Sequence, residues 1–290
     1  MPRNSDVGTR PLRDDPLHRG LTDDLRLAHL LADDADSITM SRFKALDLRV
    51  TAKPDLSPVS DADTAVEEAI RRTLGRARPR DAVHGEEMAD TGWGPRRWVV
   101  DPIDGTKNFV RGVPVWATLI SLVVNDEVVV GVVSAPALGR RWWASLGGGA
   151  YAGKSLMSPA PCRVSEVAEL EDASMSYAEL GEWVQSGQGQ GFVDLLRSCW
   201  RTRAYGDFWS YMLLAEGAVD IACEPDLELH DMAACSIVVT EAGGRFTDVD
   251  GRPGPHGRGA YATNGLLHDT VLAHLQLPGE AEEEDPPASG

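Results

Sequence analysis

The chain has 290 residues, 42% of them hydrophobic, which is enough for a substantial core and excludes a wholly disordered protein. It carries 28 basic and 45 acidic residues, giving a net charge of −17. A surface this acidic is repelled by nucleic acid and by anionic membranes, so we expect neither as a partner. A phosphorylated small substrate remains compatible with this charge only where metal ions or backbone amides supply local positive charge.

Both ends of the chain lack hydrophobic periodicity. Residues 1–20 predict a flexible leader, and residues 279–290 predict an acidic, disordered tail. No apolar stretch has the length of a signal peptide or of a membrane span. The four cysteines form no CxxC pair and no zinc-ligand spacing, which favours reduced thiols. These features predict a cytoplasmic protein.

The first part of the chain predicts two helices separated by a loop. A stripe of leucine and alanine side chains marks the first helix, and a proline-broken segment marks the loop. In chain order, the predictions are a helix from Thr22 toward Leu46, a loop over Lys53–Ser60, and a helix capped by Asp61 or Asp63 that continues through Leu74.

Runs of β-branched residues then predict strands over residues 97–100, 117–124 and 127–133. The Asn125-Asp126 step between the last two predicts a hairpin. Beyond residue 155, strands and helices continue to interleave; we expect helices over 194–200, 209–216 and 231–242, and a strand over 219–223. Interleaved elements favour a layered α/β or α+β fold. We divide it into an N-terminal lobe, 21–154, that contains the metal site, and a C-terminal lobe, 155–278.

The segment Trp98–Phe109 is the most informative for chemistry. A short apolar strand leads to two carboxylates, Asp101 and Asp104, with Pro102 fixing the backbone between them and Gly105 permitting an unusual turn. Paired carboxylates are ligands suited to magnesium, and a helix beginning at Gly105 would add an anion site. The alternative is an ordinary turn, since Asp-Pro and Asp-Gly are common turn dipeptides.

Two further acidic segments have less specific patterns. The adjacent Glu86 and Glu87 would ordinarily be a solvated face. Asp231 stands at a predicted helix start, where an aspartate is often only an N-cap, and the neighbouring His230 is more often structural than a metal ligand. Glu224 follows a predicted strand and could face a cleft.

Taken together, these segments resemble the signatures of the inositol monophosphatase family over about residues 21–275. The signatures are Asp101-Pro-Ile-Asp-Gly-Thr106, Gly85-Glu-Glu87, and His230-Asp-Met-Ala-Ala234 followed by Thr240-Glu-Ala-Gly-Gly244. His230 stands where the family usually has an aromatic residue, commonly tryptophan. The family resemblance implies a layered α-β-α-β-α sandwich of the sugar phosphatase type, with a large antiparallel sheet and a smaller mixed one.

Within this family, the chain is most similar to the bacterial histidinol-phosphatase branch. The similarity lies in the runs 107–120, 141–144, 203–209 and 223–227. It includes Asp207, where inositol phosphatases usually carry a small or hydroxyl residue. The branch implies magnesium-dependent hydrolysis of L-histidinol phosphate in histidine biosynthesis.

The resemblance implies a role for each matching residue. Glu86, Asp101 and the Ile103 carbonyl would hold one magnesium ion; Asp101, Asp104 and Asp231 would hold a second, and a third, weaker ion would lie near the catalytic Glu86. Mn²⁺ is the expected substitute for Mg²⁺.

The remaining implied roles concern water and substrate. Asp63 and Thr106 would form the catalytic pair that orients and deprotonates the attacking water, while the backbone N–H groups of Gly105 and Thr106 would bind phosphate. Asp207 and Glu224 would line the leaving-group side.

Other functions remain open at this stage. The nearest is the same chemistry on inositol 1-phosphate, a sugar phosphate or a nucleotide phosphate. A different class is a non-catalytic regulator that binds metal or phosphate. Such a protein could lose Thr106 or one metal carboxylate and still bind; because all of these residues are present, this alternative is disfavoured. Family members are commonly homodimers, so the resemblance also implies a homodimer.

Overall fold

The computed structural model describes residues 16–54 and 56–275 and the side chains from Gly20 onward. These residues form a layered α/β fold with eight helices. They are α1 (Pro16–Arg42), α2 (Asp61–Ala77), α3 (Thr106–Arg111), α4 (Leu180–Gln185), α5 (Gly189–Ser198), α6 (Asp207–Ala215), α7 (Leu229–Glu241) and α8 (His268–Leu275). None of these helices has both the length and the apolar character that a membrane span requires.

The strands form a short ribbon and two larger sheets. The ribbon pairs β1 (Val50–Ala52) with β2 (Pro58–Ser60). The seven-stranded sheet contains, in spatial order, β3 (Ala82–Gly85), β4 (Arg96–Asp104), β5 (Ala117–Val124), β6 (Glu127–Ala135), β7 (Arg140–Ser145), β8 (Gly149–Gly153) and β9 (Ala160–Pro161). The five-stranded sheet has the order β11 (Arg201–Arg203), β10 (Ser174–Tyr177), β12 (Ile221–Glu224), β14 (Ala260–Thr263) and β13 (Arg245–Thr247).

Five layers result from the packing of these elements. Helices α1 and α2 cover one face of the seven-stranded sheet, where Leu31, Ile70 and Trp98 are buried together. Helices α6 and α7 lie between the two sheets, and α5 and α8 cover the far side of the five-stranded sheet. The seven-stranded sheet is antiparallel except for its β3–β4 pair, and the five-stranded sheet is mixed. The α-β-α-β-α arrangement expected from the sequence is confirmed.

Several predicted elements have different limits. The first helix begins at Pro16, so Thr22 lies inside it, and it ends at Arg42 because Lys44 adopts a left-handed φ of 62°. Pro58–Ser60, predicted as loop, forms β2. Proline is tolerated there because it opens a strand of a two-stranded ribbon. Of the expected leader, residues 16–20 belong to α1, and residues 1–15 lie outside the described residues. The expected tail, residues 279–290, also lies outside them.

Other elements match closely. Strand β5 has the predicted limits, and the hairpin at Asn125-Asp126 is confirmed, with both residues at positive φ. The second helix is capped by Ser60 and not by Asp61 or Asp63. The helices predicted at 194, 209 and 231 begin two to five residues earlier, at Gly189, Asp207 and Leu229. Strand β9 follows the expected lobe boundary at 154 yet pairs with β8, and one buried cluster contains side chains from both parts; the division into lobes stays a prediction.

Candidate active site

Two carboxylates stand at the end of β4, where the strand leaves its regular pairing. The register with β5 shifts between Asp101 and Asp104, which allows side chains three positions apart to lie on the same side. The backbone N–H of Ile103 donates to Asp101 Oδ1 at 2.9 Å, and that of Phe208 donates to Asp104 Oδ2 at 2.7 Å. Both carboxylates are therefore held by backbone donors.

A third carboxylate reaches the same place from helix α7. The N-cap of α7 is Glu228, and Asp231 is the third helical residue, whose Oδ2 accepts the Glu228 backbone N–H at 2.8 Å. Its capping contact uses one oxygen. Asp101, Asp104 and Asp231 each have a carboxylate oxygen within 4.8 Å of the others. Asp231 thus caps the helix and also joins the cluster.

The three carboxylates repel one another in the metal-free protein. Burial, followed by the charges of Glu86, Asp104 and Asp231, raises the pKa of Asp101 well above its usual range. Burial, followed by the charges of Asp207 and Asp231, does the same to the pKa of Asp104. A set of hard oxygen donors whose own charges destabilise it fits a divalent cation such as Mg²⁺.

Glu86 lies beside this cluster and is paired with a lysine from the β1–β2 ribbon. Lys53 Nζ lies 2.5 Å from Glu86 Oε1 and 2.8 Å from Glu87 Oε1. The turn that contains Glu86 and Glu87 packs on Glu67, which is fully buried and accepts the Glu87 backbone N–H at 2.8 Å. A Cβ on residue 85 would lie 2.1 Å from Glu67 Oε1, so the close approach of the Gly85 backbone to the Glu67 carboxylate requires glycine. Sequence reasoning missed both Lys53 and Glu67.

Asp63 in helix α2 and Thr106 at the start of helix α3 lie next to each other. Asp63 is fully buried, and its Oδ2 accepts both the backbone N–H of Ser60 (2.8 Å) and the Ser60 hydroxyl (2.6 Å). Its Oδ1 lies 3.4 Å from Thr106 Oγ1, which also donates to the Ile103 carbonyl at 2.8 Å. Burial raises the pKa of Asp63. The neighbouring Asp61 instead forms an ion pair with Arg42 at 2.9 Å, so of the two aspartates only Asp63 is paired with Thr106.

Gly105 brings the backbone close to the cavity. It has a left-handed φ of 82°, and a Cβ there would lie 3.1 Å from the Val115 carbonyl and 3.2 Å from Asp207 Oδ2. Asp207 has a φ of 50° and accepts from the Asn108 side chain at 3.0 Å. Helix α3, which follows Gly105, has only six residues. Gly105 and Thr106, at the start of this short helix, both line the cavity.

Glu224 ends strand β12 and is only 4% exposed. Its Oε1 has no hydrogen bond of normal geometry among the described residues, although the buried Tyr211 hydroxyl lies near enough to this carboxylate to favour its charged form. Burial, followed by the charge of Asp207, raises the pKa of Glu224 well above its usual range. An unpaired buried carboxylate oxygen is costly unless a ligand supplies a donor.

The candidate residues surround one cavity of about 190 Å³. Its walls include Glu86, Asp104, Gly105, Thr106, Asp207, Glu224 and Asp231. A larger cavity, of about 500 Å³, lies elsewhere against Trp93 and Arg97 and is lined by none of the carboxylate cluster. The structure brings every sequence-predicted site residue to the smaller cavity or to a residue that lines it. His230 lies at its edge, with Nε2 3.6 Å from Asp231 Oδ1 and its ring 6.2 Å from that of His84.

Comparison with known proteins gives matches over most of the chain. The model of the "Inositol monophosphatase family" matches residues 22–278. The chain is 63% identical to a histidinol-phosphatase of Streptomyces coelicolor, covering 87% of this chain and 97% of the relative. It is 59% identical to a histidinol-phosphatase of Mycobacterium tuberculosis, covering 87% and 98%.

Solved structures of similar fold include two bacterial proteins. The extragenic suppressor protein SuhB of Bartonella henselae superposes with a TM-score of 0.80 at 26% identity, covering 88% of this chain and 99% of that chain. An inositol monophosphatase of Zymomonas mobilis gives 0.77 at 31% identity, covering 88% and 98%.

Proposed function

Because this chain belongs to the inositol monophosphatase family, we propose that it is a metal-dependent phosphatase that converts L-histidinol phosphate to L-histidinol and phosphate. The observation that carries the chemistry is the convergence of Asp101, Asp104 and Asp231 within 4.8 Å. The family is metal-dependent, typically on Mg²⁺, and these oxygen donors suit that ion. The substrate is proposed from the names of the two relatives that are about 60% identical.

The metal ligands that we propose are Glu86, Asp101, Asp104, Asp231 and the carbonyl of Ile103. When bound, magnesium supplies Lewis acidity, which lowers the pKa of water and neutralises phosphate charge. In the metal-free protein, Lys53 contacts one of the two carboxylate oxygens of Glu86, Oε1, and partly neutralises its charge.

The chain's own groups would orient the attacking water and the phosphate. We propose that the Thr106 hydroxyl passes its proton to the Asp63 carboxylate as it takes one from the attacking water, so that the pair both aligns and deprotonates the nucleophile. The carbonyl of Ile103 now competes for the Thr106 proton. The N–H groups of Gly105 and Thr106 would bind phosphate oxygens, and Asp207 and Glu224 would face the leaving group. No side chain has to form a covalent phosphoenzyme.

Finer properties follow as proposals of the same kind. We propose two to three magnesium ions per chain, replaceable by Mn²⁺, and a homodimer. Isothermal titration and sedimentation would measure these. We also propose a cytoplasmic location and a place in histidine biosynthesis; all four cysteines are unpaired, which suits a reducing compartment.

The test is phosphate release by purified protein with and without Mg²⁺. We would compare L-histidinol phosphate, myo-inositol 1-phosphate, fructose 1,6-bisphosphate and an adenosine bisphosphate, with Asp101→Asn as the inactive control. Preference for L-histidinol phosphate that requires Mg²⁺ and is lost in Asp101→Asn supports the proposal. Preference for another ester would retain the metal chemistry and reject the substrate. No release from any ester would favour a non-catalytic binding protein.

A further inference from the structure

Carboxylates other than the proposed metal ligands also line the cavity. Glu179 precedes α4, Glu182 lies within α4, and Asp226 follows β12; all three line the cavity. The neighbours whose charges raise the pKa of Glu182, after burial, include Glu179 and Asp226. These three carboxylates, which we term the acidic wall, are close enough to repel one another and come from elements around the five-stranded sheet.

One cation partly compensates this charge. Among the described residues that line the cavity, Lys107 is the only basic one, against eight acidic residues. Its Nζ lies 2.5 Å from Glu179 Oε1, so α3 is joined to the start of α4 across the cavity. The two side chains are 64% and 53% exposed. An ion pair this exposed contributes little free energy, about 0–1 kcal/mol, and can open readily.

The buried carboxylate of Glu224, on the wall of the same cavity, lacks a well-placed hydrogen-bond donor at one oxygen. Glu224 lines the same cavity as the acidic wall, and its Oε1 is buried without a hydrogen bond of normal geometry among the described residues. On a solvated acidic surface, water would donate a hydrogen bond to such an oxygen. A ligand group that carries positive charge and N–H donors would satisfy Glu224 and relieve the repulsion within the wall.

We propose that Glu179 and Glu182 bind the positively charged end of a phosphate monoester, and that Lys107 occupies Glu179 until that end displaces it. This inference rests on the proposed function, since the phosphate lies at the metal carboxylates and L-histidinol provides an ammonium and an imidazole at the other end. It makes the acidic wall a determinant of specificity for cationic over neutral leaving groups.

The test pairs esters that differ in charge and not in chemistry. Steady-state kinetics would be measured on L-histidinol phosphate, on phosphoethanolamine, whose leaving group is cationic, and on glycerol 1-phosphate, whose leaving group is neutral. In Glu179→Gln/Glu182→Gln we expect KM to rise about tenfold for the cationic esters, with kcat nearly unchanged and no rise for glycerol 1-phosphate. Glu166→Gln/Glu169→Gln, which changes two exposed acids that do not line the cavity, is the charge-matched control.

Binding of L-histidinol itself, measured by calorimetry, gives a readout that needs no catalysis. We expect Lys107→Gln to tighten binding severalfold and Glu179→Gln to weaken it. Equal changes in KM for cationic and neutral esters, unaltered L-histidinol binding in Glu179→Gln, or no L-histidinol binding to the parent protein would overturn the inference. A parent that prefers phosphoethanolamine to glycerol 1-phosphate but does not hydrolyse L-histidinol phosphate would instead refute the proposed substrate and retain the acidic wall.

Discussion

The hydroxyl of Thr106 lies 3.4 Å from a carboxylate oxygen of Asp63, although 43 positions separate the two residues. The contact is long because the same hydroxyl donates to the Ile103 carbonyl at 2.8 Å. Ile103 is also a proposed metal ligand. The catalytic pair and the proposed metal site are therefore connected through one backbone oxygen.

We therefore predict that Thr106→Val and Asp63→Asn each lower kcat, by roughly 10²- to 10⁴-fold, because the attacking water loses its orienting group. The double variant should be little worse than the poorer single variant, since residues that act as a unit have non-additive effects. Asp61→Asn is the matched control, because Asp61 forms a half-buried ion pair with Arg42 and not with Thr106, so this variant should leave kcat unchanged. Additive losses in the double variant would argue against a working pair.

Metal binding should control stability as well as activity. Asp101 is buried among like charges, so Asp101→Asn should raise the melting temperature of the metal-free protein, by about 2–4 °C for each 1 kcal/mol of relieved repulsion. The parent should gain stability on adding Mg²⁺, whereas the variant should gain much less. Calorimetry in EDTA and in Mg²⁺ measures both effects. A variant that is less stable than the parent without metal would show that the repulsion is unimportant.

Asp207 should give the metal-free protein a specific pH dependence. Burial above all raises the pKa of Asp207 to about 6, from an ordinary value of 3.8. The folded chain thus holds this proton more tightly than the unfolded chain, so the stabilising contribution is complete below about pH 3.8 and is lost as the pH rises through about 6.

Urea unfolding between pH 4 and pH 8 in EDTA should show this loss, and Asp207→Asn should reduce it. Asparagine is the appropriate substitution because it tolerates the left-handed φ of 50° at this position and can still accept from Asn108. Identical pH profiles for parent and variant would contradict the assignment.

How far the sequence predicts the site depends on whether a residue has local signals. Asp101 and Asp104 follow a strongly β-branched predicted strand, and Asp231 begins a predicted apolar helix, so the sequence alone places their motifs on secondary-structure elements. Glu179 and Lys53 have no such context. They are charged residues in or beside loops, which a sequence cannot distinguish from solvated surface. Only the tertiary fold brings Glu179 to the cavity and Lys53 to Glu86.

The same distinction explains the elements. Strand β5 has eight residues with a continuous apolar pattern, and its limits were predicted correctly. Strands β10 and β13, of four and three residues, were not predicted, because they are defined by pairing partners far along the chain and contain too few residues for a period. Ser60 was missed as the N-cap of α2 because two aspartates follow it within three residues, and each is an equally good cap by residue type.

Gly85 offers a direct test of the support beneath Glu86. A Cβ at this position would lie 2.1 Å from Glu67 Oε1, and Glu67 is itself fixed by Arg71 at 2.7 Å and by the Glu87 backbone N–H. Gly85→Ala must displace this buried carboxylate or the turn that contains Glu86. We expect a loss of about 2–4 kcal/mol in unfolding free energy and a weaker apparent affinity for Mg²⁺.

Gly75→Ala is the matched control, since Gly75 lies in helix α2 and no atom outside its own helix would meet the added Cβ. That substitution should stabilise the protein by about 0.5–1 kcal/mol, because alanine favours a helix over glycine, and it should leave the magnesium titration unchanged. Chemical denaturation and activity as a function of Mg²⁺ concentration distinguish the two variants. If Gly85→Ala lowered stability but left the magnesium dependence intact, Glu67 would support the fold without positioning Glu86.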